Sequence, residues 1–183
     1  MSVGLAAVVT CFLFKRPLSS LGLKWGDNRY QWISFLVPLA IAMLSYLIIW
    51  GLGFAEFNSS FADTAREDYN LPGWSDTSII AFHVLLTATF SLLLSIPSVF
   101  GEEIAWRGFL VGELSKLMSF GRVALISGVL WSAFHWPLMI KGFYGSGYTP
   151  LIFQISLFTL FIMSNSVIMT YLRYKTDSVW SAV

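Results

Sequence analysis

Charge is what this chain has least of. Asp, Glu, Lys and Arg make up only 11% of its 183 residues, where soluble domains carry about 25%. That scarcity excludes an ordinary water-soluble globule. Eleven basic residues against ten acidic ones leave a net charge of +1, so no basic field argues for a nucleic-acid partner. A single cysteine, Cys11, excludes an internal disulfide. There is no H-E-x-x-H stretch, which removes the zincin arrangement, and no G-x-S-x-G stretch, which removes the nucleophile elbow. The sequence also lacks an internal repeat, a low-complexity tract and a soluble domain.

What the chain has is apolar length. Hydrophobic residues make up 56% and aromatics 17%, with a mean hydropathy of +0.71. Crossing about 30 Å of hydrocarbon takes about 20 apolar residues. Residues 31–54, 78–101, 123–140 and 150–172 are long enough. Residues 1–14 form a shorter first span, without the basic flank and cleavage site of a signal peptide. Residues 178–183 read as the start of another. The expected fold class is all-α, a polytopic transmembrane helix bundle of about five spans plus the start of a sixth. Trp25, Trp32, Trp74 and Trp136 fall near span ends, where aromatics belong to the membrane interface.

Loop charge gives an orientation. Lys15, Arg16, Lys24 and Arg29 crowd the first loop, Lys116 and Arg122 the third, and Arg173 with Lys175 the fifth. The second loop carries Glu56, Asp63, Glu67, Asp68 and Asp76 against Arg66. The basic loops read as cytoplasmic and the N-terminus as outside, in a multi-pass protein of a bacterial cell membrane.

The stretch "SVFGEEIAWRGFL" puts Glu102, Glu103 and Arg107 between apolar runs. At the α-helical period, Thr87, Ser91, Ser95, Ser98 and Glu102 share one face, a polar stripe that faces protein or a watery cavity. Glu103 and Arg107 share another face at the i, i+4 spacing of a helix ion pair. His135, on the next span, lies nearly as far from the turn at 117–121 as Glu102 does. In two antiparallel helices both side chains then sit about 24 Å from that turn. The helix bearing the glutamates runs from 78 to 114, so a break near 97–101 or a strong tilt is expected. Gly108 and Gly112 have the G-x-x-x-G spacing of close helix contact.

Each central charge costs about 2.5–3.5 kcal/mol on insertion scales. A structural reading pairs Glu103 with Arg107 and bonds Glu102 to hydroxyls. A catalytic reading makes Glu102 a general base on water, with His135 orienting that water or both holding a metal. Zn²⁺ usually takes three protein ligands, so a further one would come from elsewhere. His83 lies about 28 Å from Glu102 along the helix, near the outer surface. Asn165 reads as an interhelical hydrogen-bonding residue.

These residues resemble a known family. "EEIAWR" is similar to the E-E-x-x-x-R motif of the CPBP family, the CAAX-protease and bacteriocin-processing intramembrane proteases. "WSAFH" resembles its F-x-x-x-H motif, with Trp131 in the phenylalanine place. "TDSVW" is similar to the segment that opens its last core helix. The resemblance implies a protease core over 78–183, after N-terminal spans and an extracytoplasmic loop over 1–77. It implies that Glu102 activates water, that His135 assists or binds a divalent metal such as Zn²⁺ with Glu102, and that Glu103 and Arg107 position Glu102. The implied partners are the lipid bilayer and a protein or peptide substrate, such as the tail of a lipid-modified protein. The family's final H-x-x-x-N motif would follow Val183, so the chain reads as a fragment. Two other readings use the same bundle: a catalytically silent scaffold or bacteriocin-immunity protein, and a transporter with Glu102 as proton relay.

Overall fold

The computed structural model describes residues 2–56, 58, 60–145 and 148–183, with Leu92 described by its backbone alone. Six helices account for the regular structure, and no strand occurs among the described residues. They are α1 (Ser2–Leu13), α2 (Asn28–Gly51), α3 (Phe61–Asp68), α4 (Asp76–Leu114), α5 (Phe120–Ile140) and α6 (Leu151–Thr176). Short 3₁₀ turns occupy Leu18–Leu21 and Trp180–Ala182. By length and apolar composition α2, α4, α5 and α6 can each cross a membrane. The 12 residues of α1 rise only about 18 Å. In residues 178–183, Val179 and Ser181 are almost fully covered.

Of the two expectations for this helix, a break at 97–101 or a strong tilt, the break is absent. Pro97 lies within helix, and α4 runs on through its 39 residues. In hydrocarbon the backbone has no solvent partner, so a proline is absorbed by local adjustment rather than by a loop. The irregularity sits on either side, as π-helical stretches at Thr87–Ser91 and Ile104–Leu110. Such a turn bonds i to i+5 and holds one extra residue. The first stretch therefore takes Thr87 out of the register assumed for the hydroxyl stripe.

The described chain forms two compact units, Met1–Ser34 with Ser98–Val183, and Phe35–Pro97. These follow contact within the fold, a different property from the motif-based division at residue 77.

In the first unit α1 packs on α4 by backbone contact. A Cβ on Gly4 would lie 2.1 Å from the Gly101 carbonyl oxygen, so only glycine fits. Gly108 approaches the Leu21 carbonyl in the same way, at 2.8 Å for an added Cβ. The G-x-x-x-G face thus meets a 3₁₀ turn, not another helix. Helices α5 and α6 run antiparallel. The Ser166 hydroxyl donates to the Ala124 carbonyl at 3.1 Å, and the Trp136 indole donates to the Thr159 hydroxyl at 3.1 Å. Trp136 thus joins α5 to α6. Asn165 donates to Phe161 of its own helix at 2.9 Å, so Ser166 takes the interhelical role expected of it.

Arg173 ties this unit together. Its Nε donates to the Arg107 carbonyl at 3.1 Å, its Nη2 donates to the Ser20 carbonyl at 3.4 Å, and its Nη1 pairs with Asp177. Asp177 ends α6 in the left-handed region at φ 50°, which a short polar side chain tolerates. The chain then returns along the first loop. Val179 N–H donates to the Gly22 carbonyl at 2.9 Å, and the Trp180 indole to the Leu23 carbonyl at 3.1 Å.

The second unit has a small core of Ala62, Ala65 and Ile79, flanked by Phe61, Tyr69 and Phe82. Helix α3 lies in what the sequence presents as a loop. The Ser75 hydroxyl caps α4 by accepting from Ser78 N–H at 3.2 Å. The Tyr69 hydroxyl bonds His83 Nδ1 at 2.8 Å, and the Phe61 ring meets the imidazole edge-on at 4.9 Å, so His83 is a packing residue here.

Candidate active site

The Glu103–Arg107 pair forms as its spacing implies. Arg107 Nη1 donates to Glu103 Oε1 at 3.0 Å, and both side chains are buried, at 0% and 1% exposure. Two opposite charges leave water together only when each finds the other with good geometry. The pair leaves capacity unused. Glu103 Oε2, Arg107 Nε and Arg107 Nη2 are buried without a hydrogen-bond partner among the described residues. The adjacent glutamate differs. Glu102 is half-buried and has no hydrogen-bond or ion-pair partner among the described residues. The two adjacent carboxylates thus differ in burial and in pairing.

Both glutamates immediately precede the π-helical stretch Ile104–Leu110, which contains Arg107. π turns are rare and concentrate at functional positions.

Helix α5 supplies the opposite wall. The Arg107 guanidinium carbon lies 4.0 Å from the centre of the Trp131 ring, a cation–π contact. One residue earlier, the Trp106 ring meets Phe134 edge-on at 5.8 Å. These contacts set the two helices against each other. Glu103 stands one turn from Arg107, and His135 stands one turn from Trp131. The structure therefore gathers Glu103, Arg107 and Trp131 directly and brings His135 beside them through Trp131. Glu102 and His135 are linked by helix register alone.

His135 meets the preceding turn of its own helix. Its Nδ1 lies 3.0 Å from the Trp131 carbonyl oxygen. A carbonyl only accepts, so in this contact Nδ1 is the donor. Around the imidazole stand Phe134 at 5.2 Å, Phe158 at 5.4 Å and Tyr144 at 6.0 Å, ring centre to ring centre. The arrangement can orient a water molecule or accept its proton. It does not supply a complete metal cage: no group of three or more His, Cys, Asp or Glu side chains able to hold a metal ion occurs among the described residues.

Spacing alone reveals neither Trp131 as a partner of Arg107 nor Arg173 as the donor to the Arg107 carbonyl. Both lie outside helix α4, and the Arg173 contact spans 66 residues.

Comparison with known proteins places these residues in context. Residues 84–183 match the family described as type II CAAX prenyl endopeptidase Rce1-like. Over 150 residues, 78% of this chain, the sequence is 28% identical to a CAAX prenyl protease 2 of Methanococcus maripaludis and covers 47% of it. The chain thus spans about half the length of the curated relative it matches. No solved structure matches it.

Proposed function

The chain belongs to the Rce1-like family of type II CAAX prenyl endopeptidases, and from that premise we propose that it carries the general-base half of an intramembrane endopeptidase site. It is a multi-pass membrane protein, with four helices long and apolar enough to span. The substrate class is a peptide bond near the C-terminus of a lipid-modified protein tail held at the membrane. The basic loops face the cytoplasm, where Lys15, Arg16, Lys24, Lys116 and Arg122 follow the positive-inside bias.

Glu102 is the general base. Its carboxylate takes a proton from water as the water oxygen attacks the scissile carbonyl. The same proton passes to the leaving amine when the tetrahedral intermediate collapses, so one water is consumed and the glutamate is restored. His135 holds the water through the Nε2 lone pair. Glu103 and Arg107 fix the turn that aims Glu102 and keep its surroundings charge-balanced. Glu102 and His135 alone are too few for Zn²⁺, which usually takes three protein ligands. These residues do not fit a metal by themselves, and each step runs through the chain's own groups.

The observation that carries the reading is the contrast between adjacent carboxylates. Glu103 is buried and paired, while Glu102 beside it is half-buried and unpaired. The decisive experiment uses the protein in proteoliposomes with a prenylated C-terminal peptide. Glu102→Gln keeps the shape and removes the base, and cleavage should fall by about 10²–10⁴-fold. Cleavage at the wild-type rate in that variant sinks the reading.

A further inference from the structure

Trp131 touches both halves of the site. Its ring lies under the Arg107 guanidinium at 4.0 Å, and its carbonyl oxygen accepts from His135 Nδ1 at 3.0 Å. Arg107 in turn holds Glu103. No other residue among the described contacts joins the ion pair to the imidazole.

We propose that Trp131 is a positioning residue that couples the Glu103–Arg107 pair on α4 to the tautomer of His135 on α5. The role rests on the hydrolytic reading above and assigns the residue that holds its two helices in step. The buried guanidinium has two nitrogens, Nε and Nη2, without acceptors among the described residues. The ring face attracts the cation while offering no lone-pair acceptor, so it holds Arg107 without competing for the hydrogen bond to Glu103. Without the ring, a guanidinium short of acceptors turns toward main-chain oxygen. The Trp131 carbonyl is such an oxygen on the facing turn, and His135 Nδ1–H uses it. Losing that acceptor lets the imidazole carry its proton on either nitrogen. In the share of molecules protonated at Nε2, the lone pair that orients water is gone.

The ring, not the indole nitrogen, does this, since Trp131 Nε1 has no hydrogen-bond partner among the described residues. Trp131→Phe should therefore behave like the wild type. Trp131→Leu keeps apolar bulk and loses the π face. The chain has two histidines, so a His83→Gln background leaves one ring to observe. With ¹⁵N-labelled histidine, magnetic resonance of the detergent-solubilised protein should show one Nδ1–H tautomer in the parent and in Trp131→Phe. Trp131→Leu should show a mixture. In the cleavage assay kcat of Trp131→Leu should fall about tenfold, in the range of a buried cation–π contact, with KM unchanged. A wild-type tautomer in Trp131→Leu overturns the proposal, and so does equal loss in Trp131→Phe. If the wild-type protein cleaves nothing, the hydrolytic reading fails while the tautomer comparison still decides the positioning role.

Discussion

Glu103 and Arg107 neutralise each other where water does not reach, yet three of their polar atoms find no partner among the described residues. Their presence is hard to justify by stability. A buried pair replaced whole by apolar residues is often neutral or gains about 1–4 kcal/mol, while removing one partner costs about 3–5 kcal/mol. Glu103→Ala should therefore lower resistance to unfolding in detergent sharply. The double substitution Glu103→Leu with Arg107→Met should recover it and still fail to cleave substrate. A double variant as unstable as the single one would mean that the pair is structural after all.

Among the elements, α4 owes its site to contacts from far along the chain. The Arg173 side chain reaches the Arg107 carbonyl within the π-helical stretch and the Ser20 carbonyl in the 3₁₀ turn, with little of its own surface exposed. Arg173→Gln should leave the Arg107 carbonyl unsatisfied at a cost of about 1–3 kcal/mol, read as a lower unfolding midpoint in detergent. Loosening should centre on the first loop, where limited proteolysis between Pro17 and Gly26 would detect it. An unchanged midpoint and cleavage pattern would deny Arg173 that part. The elements differ in how far sequence reveals them. The Glu103–Arg107 pair was legible because both residues lie on one helix, four positions apart. The spans were legible because hydrocarbon demands long apolar runs. Arg173, Ser166 and Trp136 were not, since each finds its partner on another element and single-helix periodicity says nothing of that. Pro97 misled because a proline ends helices in water but need not do so where the backbone has no other partner. The π-helical stretches had no signal in residue type at all.

For the whole molecule, the apolar spans point to a membrane, and the proposed direction of insertion rests on the loop charges. With Cys11→Ser as background, single cysteines in place of Lys24 and Lys116 should react with an impermeant thiol reagent from the same face of sealed vesicles. A cysteine in place of Glu67 should react from the other. Labelling of all three from one face would refute the orientation drawn from the basic loops. The π-helical stretch at Ile104–Leu110 has a last consequence, for inheritance. A loop absorbs the gain or loss of a residue, and a plain helix passes the change along its whole length. Here the extra residue is already stored, directly after Glu102 and Glu103. Losing one residue from it would let the helix relax to a regular coil with the flanking turns still in register, whereas a loss elsewhere between Glu102 and the end of α4 would swing the glutamates by about 100° relative to everything downstream. A lineage that kept every residue named above could still fall silent through a single lost codon.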